Sequence, residues 1–215
     1  MDFDERDYFE ELTPMQKVIH FVWDLLKVVV ISLMIILPVR YFLIKPFYVK
    51  GASMEPSFYD NEYLIINEIS YGLKIPFSDG QIVPIGEPNR GDIVVFRYPK
   101  DPSQYFIKRI VGLPGEKIEI VDEHIYIYTL EGKKFMIDES AYLPEGLHLG
   151  GPKTWELNKN EYYVMGDNRE FSLDSRSFGP LNRELIVGKV WLRGWPIWRL
   201  TVFPEVDYGI TVENN

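Results

Sequence analysis

The 215-residue chain contains no cysteine. Disulfides, thiolate metal sites and cysteine nucleophiles are excluded together, and a domain with an adequate core needs none of them. Histidine is nearly as scarce. His20, His124 and His148 lie far apart and match no metal-ligand spacing such as HExxH, so neither a metal nor a cofactor is expected, and a catalytic base of another kind is required. Positive charge is short as well. There are 23 Lys and Arg against 32 Asp and Glu, a net charge of −9, with no basic stripe. Phosphate binding needs clustered cations, so nucleic acid is excluded as a partner. "MDFDERDYFEEL" holds six acids against Arg6, so the first twelve residues carry −5 and the other 203 carry −4. The simplest reading of residues 1–20 is an acidic, solvated tail.

What is present is a folded composition, 46% hydrophobic and 15% aromatic, with room for one substantial domain plus an anchor. "LLKVVVISLMIILPVRYFLI", residues 25–44, is long enough as a helix to span ~30 Å, the thickness of a bilayer's hydrocarbon. Lys27 and Arg40 sit near its ends, where long side chains snorkel, and no polar face crosses Val28–Leu37. A transmembrane helix over 21–44 is expected. A cleaved signal peptide needs a basic start, which is absent. Flanking charge does not set orientation, because Arg6, Lys17 and Lys27 are matched by Arg40, Lys45 and Lys50.

Residues 45–215 read as mainly β, a barrel or sandwich. Runs such as "EYLIINEI", "GDIVVFRYP", "KIEIVDEHIYIYT" and "GKVWLRGW" are rich in Ile, Val, Tyr and Phe and are separated by Gly, Pro, Asn and Asp. Two inserts stand out: a turn-rich stretch at 70–90 and a small lobe at about 122–158.

Four stretches concentrate polar groups of chemical interest. "FYVKGASMEPSF" (47–58) sets Ser53 after a strand and Gly51, where a serine is ordinarily a turn residue. "RGDIVVFRYP" (90–99) reads as a strand. In "YFIKRIVGLPGE" (105–116) adjacent Lys108 and Arg109 interrupt an apolar strand, so at period two they face opposite sides. An edge strand with both tips in water is the ordinary explanation. "GDNREFSLDSRSFGP" (166–180) packs Asp167, Asn168, Ser172, Asp174 and Arg176 into one loop.

In this order behind an apolar span, these stretches resemble the bacterial type I signal peptidases, and the resemblance runs from the span to the Trp-rich end. It implies a signal-peptidase-like β fold with an N-terminal transmembrane helix. It also implies a Ser–Lys protease that removes signal peptides from exported preproteins at the outer face of the cytoplasmic membrane. The N-terminus would be inside and the catalytic domain outside, with the lipid bilayer and preprotein signal peptides as partners and a monomer as the working unit. Ser53 becomes the nucleophile, Lys108 the general base and Ser172 the residue orienting the amine. Asp167 pairs with Arg109, and Asp174 and Arg176 brace the loop around Asn168. The Ser53 N–H is the first oxyanion donor. Some relatives place a serine hydroxyl where this chain has Gly51, so any donor there must be backbone; Ser57 stands where threonine is common. Pro56 completes the serine motif. Met54 has two readings, core packing or a place beside the nucleophile facing membrane or substrate. Trp191, Trp195 and Trp198 suit either a bilayer interface or, for Trp191, the core.

Elementary chemistry agrees with the lysine. Arginine stays protonated at any accessible pH, whereas lysine starts near ~10.4 and falls by ~3–5 units when fully buried. Two rivals stand: a self-cleaving Ser–Lys repressor, which requires a DNA-binding helix-turn-helix, and a membrane-tethered β domain that only binds peptides.

Overall fold

The computed structural model describes residues 13–38, 45–74, 82–83, 85–144, 146–203, 208 and 211–212. The chain divides into two units, Met1–Phe42 and Leu43–Asn215. The described part of the first is helix α1, Pro14–Pro38. It starts earlier than position 21, so residues 14–20 are helical rather than tail. The cause is local. Thr13 and Gln16 form a reciprocal capping box, with the Thr13 N–H donating to Gln16 Oε1 at 2.9 Å and the Gln16 N–H to Thr13 Oγ1 at 3.4 Å. Pro14 takes the first helical position, where a missing N–H costs nothing. The helix is long and apolar enough to cross a membrane, and its large apolar side chains from Met15 to Leu37 are exposed all round. The remainder of the expected span, 39–44, lies outside the described residues, as does the acidic stretch 1–12.

The second unit is mainly β. Its first strands are β1 (Lys45–Tyr48), β2 (Tyr63–Asn67), the short hairpin β3 (Leu73–Lys74) and β4 (Ile82–Val83), β5 (Ile93–Tyr98) and β6 (Asp101–Gly112). There follow β7 (Lys117–Val121), β8 (His124–Tyr128), β9 (Lys134–Met136), β10 (Lys153–Glu156) and β11 (Glu161–Met165). A one-turn helix, α2 (Ser175–Phe178), precedes β12 (Leu181–Asn182), β13 (Ile186–Trp195), β14 (Thr201–Val202) and β15 (Thr211–Val212). The main sheet has the order β1-β2-β13-β5-β6-β11-β12, with β14 added beside β13. It curls enough for β1 to meet β6, the Phe47 and Tyr105 rings packing edge to face at 5.4 Å.

Both faces of the curled sheet are covered. Val49, Met54, Phe58, Leu64, Ile66, Ile93 and Val95 fill one core, while Val94, Phe96, Ile110 and Val164 belong to another. The alternation of β5 supplies both, as period two requires.

The lobe is the second sheet, of order β10-β7-β8-β9-β15. It begins at Lys117 rather than about 122, and it recruits β15 from the chain's end. "KIEIVDEHIYIY" is a hairpin whose two turn residues, Asp122 and Glu123, both have positive φ, 49° and 60°. That is the backbone a tight two-residue hairpin needs. The lobe has its own core of Ile118, Ile120, Ile125, Ile127 and Phe135, which adjoins Val111 and Tyr163 of the main sheet.

The junction between sheets requires a glycine. A Cβ at Gly112 would stand 2.5 Å from Ile118 Cδ1 and 2.9 Å from Tyr163 Cβ. Overpacking of this kind costs about 1–3 kcal/mol. Gly112→Ala is therefore expected to lower the urea midpoint of the detergent-solubilised protein by that amount of stability, and an unchanged midpoint would show the junction to be loose.

Candidate active site

Ser53 sits on a loop held at both ends. Past β1 the chain stays tied to the β2 approach, the Val49 N–H donating to the Glu62 carbonyl at 2.8 Å. It then reverses at Gly51, whose φ of +92° a side chain would strain. Two local bonds, Glu55 N–H to the Ala52 carbonyl and Phe58 N–H to the Met54 carbonyl, wind the next residues into a compact turn. Met54 and Phe58 point into the core beside Leu64 and Ile66. Of the two readings of Met54, the geometry is that of core packing, at 1% exposure. Pro56 lies exposed on the loop. Ser53, between exposed Ala52 and buried Met54, is left at the rim.

Lys108 approaches from β6. Because both faces of this strand are covered, Lys108 and Arg109 are each only 3% exposed; neither is a wet tip of an edge strand. The Lys108 ammonium donates to Ser53 Oγ at 2.7 Å and to the Ile107 carbonyl at 2.7 Å, and it lies 5.7 Å from the Phe106 ring centre. Burial drives its pKa from 10.5 down to about 8, against the pull of the Asp174 and Asp167 carboxylates and with help from Arg176.

Arg109, on the other face, is held by Asp167 in a two-pronged pair, Nε to Oδ1 at 2.9 Å and Nη2 to Oδ2 at 2.7 Å. Burial opposes its charge, but the Asp167 hydrogen bonds and charge prevail and raise its pKa. Ser57 donates to Asp167 Oδ2 at 2.5 Å, so the second hydroxyl of the serine loop is tied to the same carboxylate.

The 166–176 loop closes the site. Asn168 clamps the serine loop twice, its N–H donating to the Ser53 carbonyl at 3.1 Å and its Nδ2 to the Ala52 carbonyl at 3.0 Å. Asp174 caps α2 by accepting from the Arg176 N–H, and also takes the Gly166 N–H at 3.0 Å and the Arg176 guanidinium at 2.8 and 2.9 Å. Burial pushes the Asp174 carboxyl up, but Arg176 and these N–H donors outweigh it and hold it below the usual range.

Three expectations are altered by this geometry. Ser172 makes no hydrogen bond to Lys108: the amine is turned to Ser53 and Ile107, and Ser172 Oγ is buried without a bond of its own, close enough to Asp174 to help keep that acid low. The Gly51 N–H donates to Asp60 Oδ1 at 2.7 Å and is therefore engaged. Trp191 is half exposed rather than core. The β13–β2 pairing jumps from Val190↔Ile66 to Leu192↔Ile65, leaving Trp191 as the extra residue of a bulge. Trp195 and Trp198 are exposed too, and their rings meet at 5.8 Å. His124 and His148 bond to Asp122 and Glu123 on the lobe.

Gly166 was missed, and its signal was only its place before Asp167. A Cβ there would stand 2.1 Å from Ser172 Oγ and 2.5 Å from the Ser53 carbonyl oxygen. Arg169, Glu139 and Tyr142 were missed as well; the last two come from the lobe, where no motif marks them.

Beside Ser53 and Lys108 opens a groove of about 500 Å³, walled by Phe47 and Tyr48 of β1 and by Tyr105 and Ile107 of β6, with Leu64 and Val95 among its lining. Among the described residues β1 pairs only with β2, and β11 pairs with β6 only from Arg109 onwards. The groove thus lies between two strand edges that no other described strand pairs, with the Ile107 carbonyl taken by Lys108 Nζ.

Comparison with known proteins places these features in a family. A family profile described as "Signal peptidase, peptidase S26" matches residues 22–195. Signal peptidase I of Pseudomonas aeruginosa is 32% identical over 208 residues, covering 80% of this chain and 73% of that protein. Signal peptidase IB of Staphylococcus aureus is 31% identical over 197 residues, covering 86% and 93%. The crystal structure of a signal peptidase I from Enterococcus faecalis aligns with a TM-score of 0.41 at 28% identity, over 49% of this chain and 98% of that one. The chain belongs to the signal peptidase family, peptidase S26. Gly166→Ala, which forces Ser172 and the Ser53 backbone apart, is expected to lower turnover about a hundredfold while the melting profile keeps a single transition. Near-normal turnover in that variant would mean that the contact does not set the site.

Proposed function

We propose that this signal peptidase family member is a membrane-anchored serine endopeptidase that removes N-terminal signal peptides from exported preproteins, with Ser53 as nucleophile and Lys108 as general base. The observation that carries this reading is the 2.7 Å separation of Lys108 Nζ and Ser53 Oγ on a buried amine whose pKa lies at about 8.

The chemistry follows from that pair. Once neutral, the amine keeps an N–H on the Ile107 carbonyl and turns its lone pair to the Ser53 hydroxyl. It takes the hydroxyl proton as Oγ attacks the scissile carbonyl carbon. The Ser53 N–H is the proposed donor to the resulting oxyanion; Gly51 is not the second, since its N–H is held by Asp60. Collapse of the tetrahedral intermediate breaks the C–N bond, and the Lys108 ammonium returns the proton to the leaving amine. Water then gives a proton to the same amine as it attacks the acyl ester; the C–Oγ bond breaks, and the ammonium returns that proton to Ser53 Oγ, restoring hydroxyl and neutral amine. Ser172 enters as the orienting group. The family resemblance supports this role; Ser172 Oγ is buried without a bond of its own, while the ammonium is held by Ser53 and Ile107.

The groove supports an extended substrate. Unpaired edges of β1 and β6 face it from both sides, so a peptide laid between them bonds through its backbone while alternate side chains enter the floor. The resemblance to the family implies small side chains, usually alanine, at the first and third positions before the cut, and the bulky Phe47, Tyr48 and Tyr105 lining the groove are consistent with that preference. Helix α1 would be the anchor, with the N-terminus cytoplasmic, the second unit outside and a monomer as the working unit. A non-catalytic peptide binder is the reading that the serine variant eliminates.

Detergent-solubilised protein is expected to cleave a preprotein, and Ser53→Ala and Lys108→Arg to leave it intact while still binding a signal-peptide inhibitor. A guanidinium cannot give up its proton at working pH. The base must be deprotonated, so kcat/KM should climb about tenfold per pH unit below the lysine pKa and level off above about 8. Substantial turnover by folded Lys108→Arg would falsify the mechanism.

Specificity gives a separate test. A preprotein carrying Phe at both the first and the third position before the cut should resist cleavage, and its efficient processing would remove the groove from the account.

A further inference from the structure

One buried polar cluster has no part in the mechanism above, and it joins the lobe to the 166–172 loop. Glu139, in the segment after β9, accepts from Arg169 Nη2 at 2.6 Å, and the Arg169 side chain is 1% exposed. The same guanidinium donates through Nε to the Gly166 carbonyl at 3.0 Å. Tyr142 donates its hydroxyl to the same Glu139 oxygen, and its ring centre lies 3.9 Å from the Arg109 guanidinium carbon. Tyr208 packs edge to face on Tyr142 at 5.9 Å, with the two hydroxyls 3.3 Å apart. Glu139 and Tyr142 belong to one turn, the Tyr142 N–H donating to the Glu139 carbonyl. A single turn of the lobe thus grips two guanidiniums, Arg169 within the loop and Arg109 bound to Asp167 in that loop.

Such a cluster is poorly explained by stability. A buried ion pair gains little over well-packed apolar residues, because both charges lose their water. The lobe already has an apolar core of its own. What the pair does fix is position. Arg169 holds the carbonyl of Gly166, and Gly166 is the residue fitted against Ser172 and the Ser53 backbone.

We propose that Glu139 and Tyr142 are positioning residues for peptide-bond cleavage: by gripping Arg169 and Arg109 they fix the Gly166–Ser53 contact and so the attack geometry of the nucleophile. This rests on the reading of Ser53 and Lys108 given above, and the lobe becomes part of the catalytic apparatus without touching substrate.

The test uses the full-length protein in detergent, with Glu139→Gln, Arg169→Gln, their double variant and Tyr142→Phe. Glu139→Gln is expected to lower kcat at least about tenfold with KM within about twofold, since it disturbs attack rather than binding. The double variant should lose no more than Arg169→Gln alone, because Glu139 acts through Arg169. Additive losses, an unchanged kcat or an effect confined to KM would overturn the proposal. Tyr142→Phe removes one oxygen, so it supplies the kcat comparison should Glu139→Gln not fold. A second readout needs no turnover. The Asn168 amide, bonded to the Ser53 carbonyl, should exchange its hydrogen about tenfold faster in either variant. Unchanged exchange overturns the clamp even if the unmodified protein proves inactive, whereas faster exchange in an inactive protein supports the clamp and defeats the Ser–Lys reading.

Discussion

An amine kept out of water is the constraint around which this domain is organised. Lowering the Lys108 pKa from 10.5 to about 8 costs the folded state ~3 kcal/mol whenever the amine is charged. That cost is present below about pH 8 and is relieved as pH rises towards 10.5, because the unfolded chain holds the proton longer. Two carboxylates close by, Asp174 and Asp167, act to restore the proton. Each is matched by an arginine, Asp174 by Arg176 and Asp167 by Arg109. Arg176 therefore does more than brace the loop: it offsets negative charge that would otherwise hold Lys108 protonated.

Holding the amine dry also dictates the local backbone. Ser53 must meet it at hydrogen-bonding distance from a loop more than fifty residues away in sequence. That loop is fixed from below by Met54 and Phe58 in the core, from one side by Asp60 on the Gly51 N–H, and from the other by Asn168 on the Ala52 and Ser53 carbonyls. Gly166 leaves no room for slack. The lobe reaches the 166–176 loop through Glu139 and Tyr142, so an insert that looks peripheral along the chain lies beside the Ser53–Lys108 pair's supporting loop in space.

The sheet that carries these parts leaves two edges open where the groove lies. Open edges are ordinarily a hazard of unwanted pairing. Here they flank Ser53 and Lys108, and the aromatic side chains of Phe47, Tyr48 and Tyr105 line the space between them.

Much of this was legible along the chain. Period-two alternation and turn residues identified the β unit, an uninterrupted apolar run identified the helix, and the resemblance carried by four short stretches selected Ser53 and Lys108. The alternation also placed Lys108 and Arg109 on opposite faces, because Cβ direction along a strand is a local property. Sequence could not say that both faces would be covered, and that coverage, not the lysine itself, brings the pKa to about 8. Nor could it say that Asp60 would take the Gly51 N–H, that Ser172 would stand unbonded, or that a bulge would turn Trp191 outward. Helix start and lobe boundary moved for local reasons that were readable but misjudged, a capping box at Thr13 and a two-residue turn at Asp122–Glu123. Glu139 and Tyr142 carried no signal at all. Periodicity fixes which way a side chain points, but its partners and its access to water are fixed by segments that meet only when the chain has folded.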